Sequence, residues 1–285
     1  MGRELTQLDP EIATLYATAD DMLGFPLSTI IRDGPESALQ ETSVQQPAIL
    51  LTSVAYLHTL QNRSLLPDAD FVAGHSLGEY AAMVAAGSLA FEDALRLVRR
   101  RGELMQEHGA GAMAAILGLP AEDVAAIARD AGVEVANFNT PVQTTVSGRA
   151  AAVEQAITMA KERGAKRALL LPVSGAFHST LMAPVAEAMR PLIDETTIHA
   201  GRVPLVADLN ARFLRHPSEL RDELVDQICG SVRWVDVVNT LVGAGVTTFY
   251  EIGPGQVLAG LIARCAPGAT VIAAERMMAD AVTPA

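Results

Sequence analysis

Gly74-His75-Ser76-Leu77-Gly78 sets a serine between two glycines, with the apolar run Phe71-Val72-Ala73 before it and the helix-forming Glu79-Tyr80-Ala81-Ala82-Met83-Val84-Ala85-Ala86 behind it. The pattern predicts a strand, a sharp turn and a helix. Such a turn lifts the serine hydroxyl clear of the backbone beside the first amides of the helix, where negative charge is favoured. Both glycines are expected to be needed, because side chains two positions from the serine would collide with it. The chemistry this arrangement offers is nucleophilic attack by Ser76, with charge developing next to a helix N-terminus.

A serine needs a base within hydrogen-bonding reach. Of the six histidines, His58 lies in an otherwise apolar helix, and His108, His199 and His216 fall among loop or surface residues. His75 adjoins Ser76, but neighbours across an elbow point different ways, so packing or a backbone hydrogen bond beside the substrate is its expected role. His178, in Pro172-Val173-Ser174-Gly175-Ala176-Phe177-His178-Ser179, sits where a strand ends and a helix begins. Loops of that kind converge on clefts, which makes His178 the candidate base.

Arg99, Arg100 and Arg101 stand in a row. Arg99 and Arg100 read as a solvated helix face. Arg101, followed by Gly102 and the apolar Leu104 and Met105, is expected to face inward. A planar guanidinium grips a carboxylate bidentately and would select a substrate carrying a free acid. No His, Cys and carboxylate spacing fits a metal site, and no Gly-x-x-x-x-Gly-Lys phosphate loop is present.

These residues need a frame, and the periodicity supplies one. Helices are expected over Met1 to Leu23, over Val44 to Leu60 with Pro47 in a first turn, from Glu79 to about Gly87, and from Phe91 to about Met105. From Ala112 to Val173 the order is strand, helix, strand, strand, helix, strand, a βαββαβ ferredoxin-like unit. Residues 110–174 therefore read as a small inserted subdomain, with 1–109 and 175–285 forming the large domain. In the latter, helices are expected over Leu181–Leu192, Leu220–Ile228, Trp234–Val242 and Val257–Arg264, and strands over Pro204–Ala207 and Thr248–Ile252. The residues after about Arg276 read as a loose tail.

Half of the 285 residues are hydrophobic, so a sizeable core is expected. The formal net charge of −12 argues against nucleic acid and anionic membrane surfaces as partners. Cys229 and Cys265 form no C-x-x-C pair, and no run is long and apolar enough to span a bilayer. A cytoplasmic, monomeric protein is expected.

The motifs together resemble a known family. Gln45-Gln46-Pro47-Ala48, Gly74-His75-Ser76-Leu77-Gly78-Glu79, Arg101-Gly102, Gly111-Ala112-Met113-Ala114-Ala115, Asn137-Phe138-Asn139-Thr140-Pro141, Ala176-Phe177-His178-Ser179, Gln227 with Trp234, and Gly253-Pro254-Gly255 occur in the order found in malonyl-CoA:acyl carrier protein transacylases and related acyltransferase domains. The resemblance implies an α/β-hydrolase-like large domain with a parallel sheet and a ferredoxin-like insert. It implies that Ser76 takes malonyl from coenzyme A and passes it to the phosphopantetheine thiol of an acyl carrier protein, with His178 as base and then acid. Arg101 would hold the malonyl carboxylate, the Leu77 amide would donate to the oxyanion, the Gln227 segment would orient His178, and Phe177 would favour malonyl over methylmalonyl. No resident cofactor is implied, the coenzyme A thioester being the substrate.

Relatives normally begin with a strand and a Pro-Gly-Gln-Gly-Ser-Gln loop that supplies a second oxyanion amide, whereas Met1-Gly2-Arg3-Glu4-Leu5 matches residues beyond that loop. A truncated chain, a misassigned start codon or a member lacking that strand would each account for it. Asp208 stands where relatives often carry asparagine. Two other readings compete: a serine hydrolase or thioesterase built on the same elbow, and a catalytically impaired binding subunit. Carrier proteins being acidic, a local basic patch is also expected, with Lys161, Arg163, Lys166 and Arg167 as candidates against an ordinary solvated face.

Overall fold

The computed structural model describes Leu5, residues 10–173 and residues 175–282. The rest of the expected opening helix before Pro10, and Ser174 in the loop before His178, lie outside the described residues. The elements are α1 (Pro10–Leu23), α2 (Leu27–Asp33), α3 (Glu36–Gln40), α4 (Thr42–Asn62), β1 (Val72–Ala73), α5 (Gly78–Ala86) and α6 (Phe91–Glu107). Next come β2 (Ala112–Leu117), α7 (Ala121–Ala131), β3 (Glu134–Thr140), β4 (Gln143–Gly148), α8 (Ala150–Glu162) and β5 (Arg167–Leu170). The chain ends with α9 (Ala183–Glu195), β6 (Leu205–Val206), β7 (Phe213–Leu214), α10 (Pro217–Asp226), α11 (Trp234–Gly243), β8 (Thr248–Glu251), α12 (Val257–Cys265), β9 (Thr270–Ala273) and α13 (Ala274–Val282).

The segment from β2 to β5 is the ferredoxin-like unit. Its sheet runs β3-β4-β2-β5, with every neighbouring pair antiparallel. Ala114, Ile116 and Val146 of the sheet bury against Val124, Ile127, Val153 and Ala156 of α7 and α8, a core of its own.

In the large part of the chain the strands are short. β1 pairs in parallel with β6, and β8 in parallel with β9, as a parallel sheet requires. β7 adds an antiparallel edge to β6, so the sheets are mixed. Side chains alternate along β1 and β6 in the way a pleated strand demands. Val72 and Leu205 turn to the helical core built on α4, α5, α6 and α9. Ala73 and Val206 turn to a second core with Trp234, Val238, Leu261 and Phe249. β1 thus runs between the two layers, and Ser76 follows its C-terminal end.

Two helices depart from the expected boundaries with consequences. α4 begins at Thr42, so Pro47 lies inside the helix rather than in its first turn. Proline removes the donor that the Ser43 carbonyl would have used four residues back. Arg99 of α6 fills the gap, donating from Nη1 to the Ser43 oxygen at 2.8 Å while its Nε pairs with Glu103 and its guanidinium lies 4.8 Å from the centre of the Phe25 ring. The reading of Arg99 as a merely solvated residue is therefore corrected. Arg100 pairs, among the described residues, with the acids Glu103 and Glu107 of its own helix. Gly102 lets the two helices meet backbone to backbone, since a Cβ there would stand 2.7 Å from the Thr42 oxygen. The second departure is α13: the expected tail after Arg276 is helical to Val282, with Met278 in the main core. Among the described residues no helix is long and apolar enough to cross a membrane.

Candidate active site

Ser76 is held in the left-handed region, at φ 52°, between β1 and α5. Gly74 is a steric necessity at this bend, because a Cβ would lie 2.0 Å from the Gly78 carbonyl carbon. Gly78 is not. A Cβ there would meet nothing within 4 Å, so the expectation that both glycines relieve collisions holds for Gly74 alone.

His178 comes from the far side of the chain, likewise at positive φ (56°), just before the 3₁₀ turn Thr180–Met182. Its Nε2 is 2.8 Å from the Ser76 hydroxyl oxygen. Its Nδ1 lies 2.9 Å from the Gln227 carbonyl and 3.0 Å from that of Gly230. Two carbonyls can only accept, so the proton sits on Nδ1 and the lone pair on Nε2 faces the serine. Burial, the nearby Arg101 charge and His75 push the His178 pKa down to about 3, which keeps the ring neutral and able to take a proton.

Arg101 projects from the inner face of α6 and is 2 % exposed. Nη2 donates to Ser76 Oγ at 3.0 Å and to Gln227 Oε1 at 3.1 Å, and Nη1 donates to Gln46 Oε1 at 2.9 Å. Nε has no hydrogen-bond partner among the described residues. The guanidinium thus touches the nucleophile and still has N–H groups to offer an acid.

The Leu77 backbone N–H, at the N-cap of α5, has no acceptor among the described residues. The Ser76 amide is not free in this way: it donates to Asp208 Oδ2 at 2.5 Å. Gln227, fully buried, donates from Nε2 to the Ser76 carbonyl at 3.1 Å and to Glu79 Oε2 at 3.1 Å, so its side chain as well as its backbone serves the site.

The other expected residues fall nearby in different roles. His75 hydrogen-bonds through Nε2 to Asn139 Oδ1 of β3 at 2.9 Å and packs 5.6 Å from the Trp234 ring, with desolvation lowering its pKa. The packing against Trp234 is one of its two expected roles, and the bond to Asn139 ties the ferredoxin-like unit to the elbow. Phe177 is partly buried against the main core, and its ring fills the space beside Gly175. Of the basic residues, Arg163 pairs with Asp130 at 2.7 Å and the Lys166 stem packs over Gly118.

Sequence reasoning gave Gln46, Glu79, Asn139 and Glu223 no role. Glu79 had a signal: a lone acid facing inward in a helix of alanines, three residues after the serine. It is fully buried, and burial beside Asp208 and Glu223 raises its pKa.

A serine on an αL elbow, hydrogen-bonded to a neutral imidazole beside a free helix-terminal amide, defines a serine enzyme of acyl transfer chemistry. The family model for the acyl transferase domain matches residues 1–267, and the chain belongs to that family. It is 44 % identical over 270 residues to the malonyl CoA-acyl carrier protein transacylase of Bacillus subtilis, an alignment covering 92 % of this chain and 84 % of that protein. The solved malonyl CoA-acyl carrier protein transacylase of Coxiella burnetii superposes with a TM-score of 0.94 at 35 % identity, covering 98 % of this chain and 92 % of that one. A malonyl-transacylase solved in complex with its type II polyketide acyl-carrier protein superposes with a TM-score of 0.91 at 36 % identity, covering 94 % of this chain and 89 % of that one.

Proposed function

We propose that this acyltransferase moves a malonyl group from coenzyme A to the phosphopantetheine thiol of an acyl carrier protein, through an ester on Ser76. The observation that carries the reading is the buried Arg101 guanidinium 3.0 Å from the Ser76 hydroxyl. A permanent cation fixed beside the nucleophile favours an acyl group that ends in a carboxylate. The malonyl CoA-acyl carrier protein transacylases among the relatives, and the carrier-protein complex of one of them, support the same donor and acceptor.

The steps follow from the hydrogen bonds. His178 Nε2 takes the Ser76 proton as Oγ attacks the thioester carbon, and the oxyanion forms against the Leu77 N–H. Collapse breaks the C–S bond, and the Nε2 proton goes to the departing coenzyme A sulfur. The carrier thiol then gives its proton to Nε2 and attacks the ester, and Ser76 leaves with that proton. Backbone carbonyls at Nδ1 orient the ring without adding the charge a triad carboxylate would bring. The ring therefore returns its proton readily in either direction, which suits reversible transfer. The carboxylate clamp holds the acyl group in place and disfavours loss to water. The reducing cytoplasm is the compartment we infer, both cysteines being free thiols.

Incubation with radiolabelled malonyl-CoA tests this directly. A stable label on Ser76 that a phosphopantetheinylated carrier protein removes is the expected result. Rapid release of free malonate would replace transfer with hydrolysis, and no label would end the reading.

A further inference from the structure

Both sides of the Ser76 residue are tied into one closed circuit. Its N–H donates to Asp208 Oδ2, the Asp208 backbone N–H donates to Glu79 Oε1 at 2.9 Å, and Gln227 Nε2 joins Glu79 Oε2 to the Ser76 carbonyl. A non-glycine residue at φ 52° persists only where its surroundings over-determine it, and this circuit does so from the amide and the carbonyl at once.

Within the circuit the two carboxyls are not equivalent. Both Glu79 oxygens accept hydrogen bonds, one from the Asp208 N–H and one from Gln227 Nε2, so neither is left without a partner. Asp208 is fully buried, one oxygen accepts from Ser76, and the other, Oδ1, has no donor among the described residues. The groups facing Asp208 are Glu79 of α5, Glu223 of α10 and Arg101 of α6, and beyond Arg101 lie Tyr80 and His178. If all three acids were ionised, carboxylates would outnumber the guanidinium three to one in a dry interior and repel an anionic acyl group. Leaving a charged oxygen without a donor in such a place is far costlier than leaving a neutral one.

We propose that Asp208 is a positioning residue for Ser76 and performs that role as an uncharged carboxylic acid, its proton on Oδ1 and its carbonyl oxygen on the Ser76 amide. Burial, which raises its pKa well above the usual carboxylate range, agrees with this. The neutral acid keeps the Arg101 charge available for the incoming acyl group, and in that clause the inference rests on the malonyl reading. The positioning of Ser76 does not rest on it.

The test reads Ser76 without malonyl-CoA. Modification of Ser76 by phenylmethylsulfonyl fluoride, followed by mass spectrometry, is compared at pH 6 in the intact protein and in Asp208→Asn and Asp208→Ala. The asparagine variant, whose amide oxygen can accept from the Ser76 N–H, is expected to keep the parent rate. The alanine variant is expected to lose about tenfold, the worth of one hydrogen bond. An asparagine variant as slow as the alanine variant overturns the proposal, because the charge would then be required.

A second measurement needs no folded variant. In the parent protein with ¹³C-labelled aspartate carboxyls, one buried carboxyl is expected to keep the chemical shift of the protonated acid at pH 7, and a fully ionised set overturns the proposal. Failure of the malonyl reading would leave both results intact and show only as a missing malonyl ester.

Discussion

The Arg101 guanidinium donates to the Ser76 hydroxyl at 3.0 Å, so the group that would hold the acyl carboxylate also touches the nucleophile. Three of its five N–H groups are engaged, by Ser76, Gln227 and Gln46. Its remaining donors and its charge are what a free acid on the substrate can use.

Replacing Arg101 by alanine should therefore cost malonyl transfer more than acetyl transfer. A charge-assisted bond of about 1.5–3 kcal/mol corresponds to a loss of roughly 10- to 150-fold in kcat/KM with malonyl-CoA. Lysine should restore little, having no planar fork. Equal losses with both thioesters would remove Arg101 as the carboxylate anchor.

His178 should stay a competent base well into acid. Its folded pKa of about 3 lies below the unfolded value of about 6.5, so the folded state binds fewer protons between these limits. The stability contribution is complete above pH 6.5 and is lost as pH falls toward 3. Thermal melts of the parent protein should drop over that window more steeply than those of His178→Gln, and Ser76 modification by a neutral acylating reagent should stay level from pH 7 to pH 5. A rate that halves near pH 6.5 would contradict the buried, neutral ring.

The two glycines of the elbow should respond in opposite ways. Gly74→Ala puts a Cβ 2.0 Å from backbone that cannot yield, and should abolish Ser76 modification and lower the melting temperature. Gly78→Ala meets nothing within 4 Å at the start of α5, and should leave stability unchanged or raise it by about 0.5–1 kcal/mol through helix propensity. Differential scanning calorimetry of the two variants separates these outcomes.

Arg99→Ala should destabilise the protein without changing its chemistry. The Ser43 carbonyl, already deprived of its helical donor by Pro47, would lose Arg99 as well, at a cost of about 1–3 kcal/mol. Denaturant melts should show the loss, while kcat/KM at a permissive temperature stays near that of the parent. An unchanged midpoint would mean that the carbonyl finds another donor.

Much of this was legible because it is local. The βαββαβ order follows from periodicities of two and of about 3.6 within runs of four or more residues, and the elbow from a strand, a Gly-x-Ser-x-Gly turn and a helix in immediate succession. β7 and β9 escaped notice, β7 because two residues carry no period, and α13 because a short helix at the chain end reads as a loose tail. Arg99 was assigned to solvent from its position on α6, since its acceptor arises from a proline in another helix. Asp208 and Glu79 were visible as acids, but their partners lie 132 and 129 residues away along the chain.

By itself the sequence determined the kinds of groups available: a serine on a strained turn, a histidine at a strand end, an arginine on an inward stripe. Those follow from steric and periodic rules that act over a few residues. Only the tertiary structure decided which nitrogen of His178 holds the proton, which amide is left for an oxyanion, and how many carboxyls share one guanidinium. Tautomer, hydrogen-bond vacancy and buried charge are properties of a packed interior, set by whichever distant segments the core brings to within 3 Å of one another.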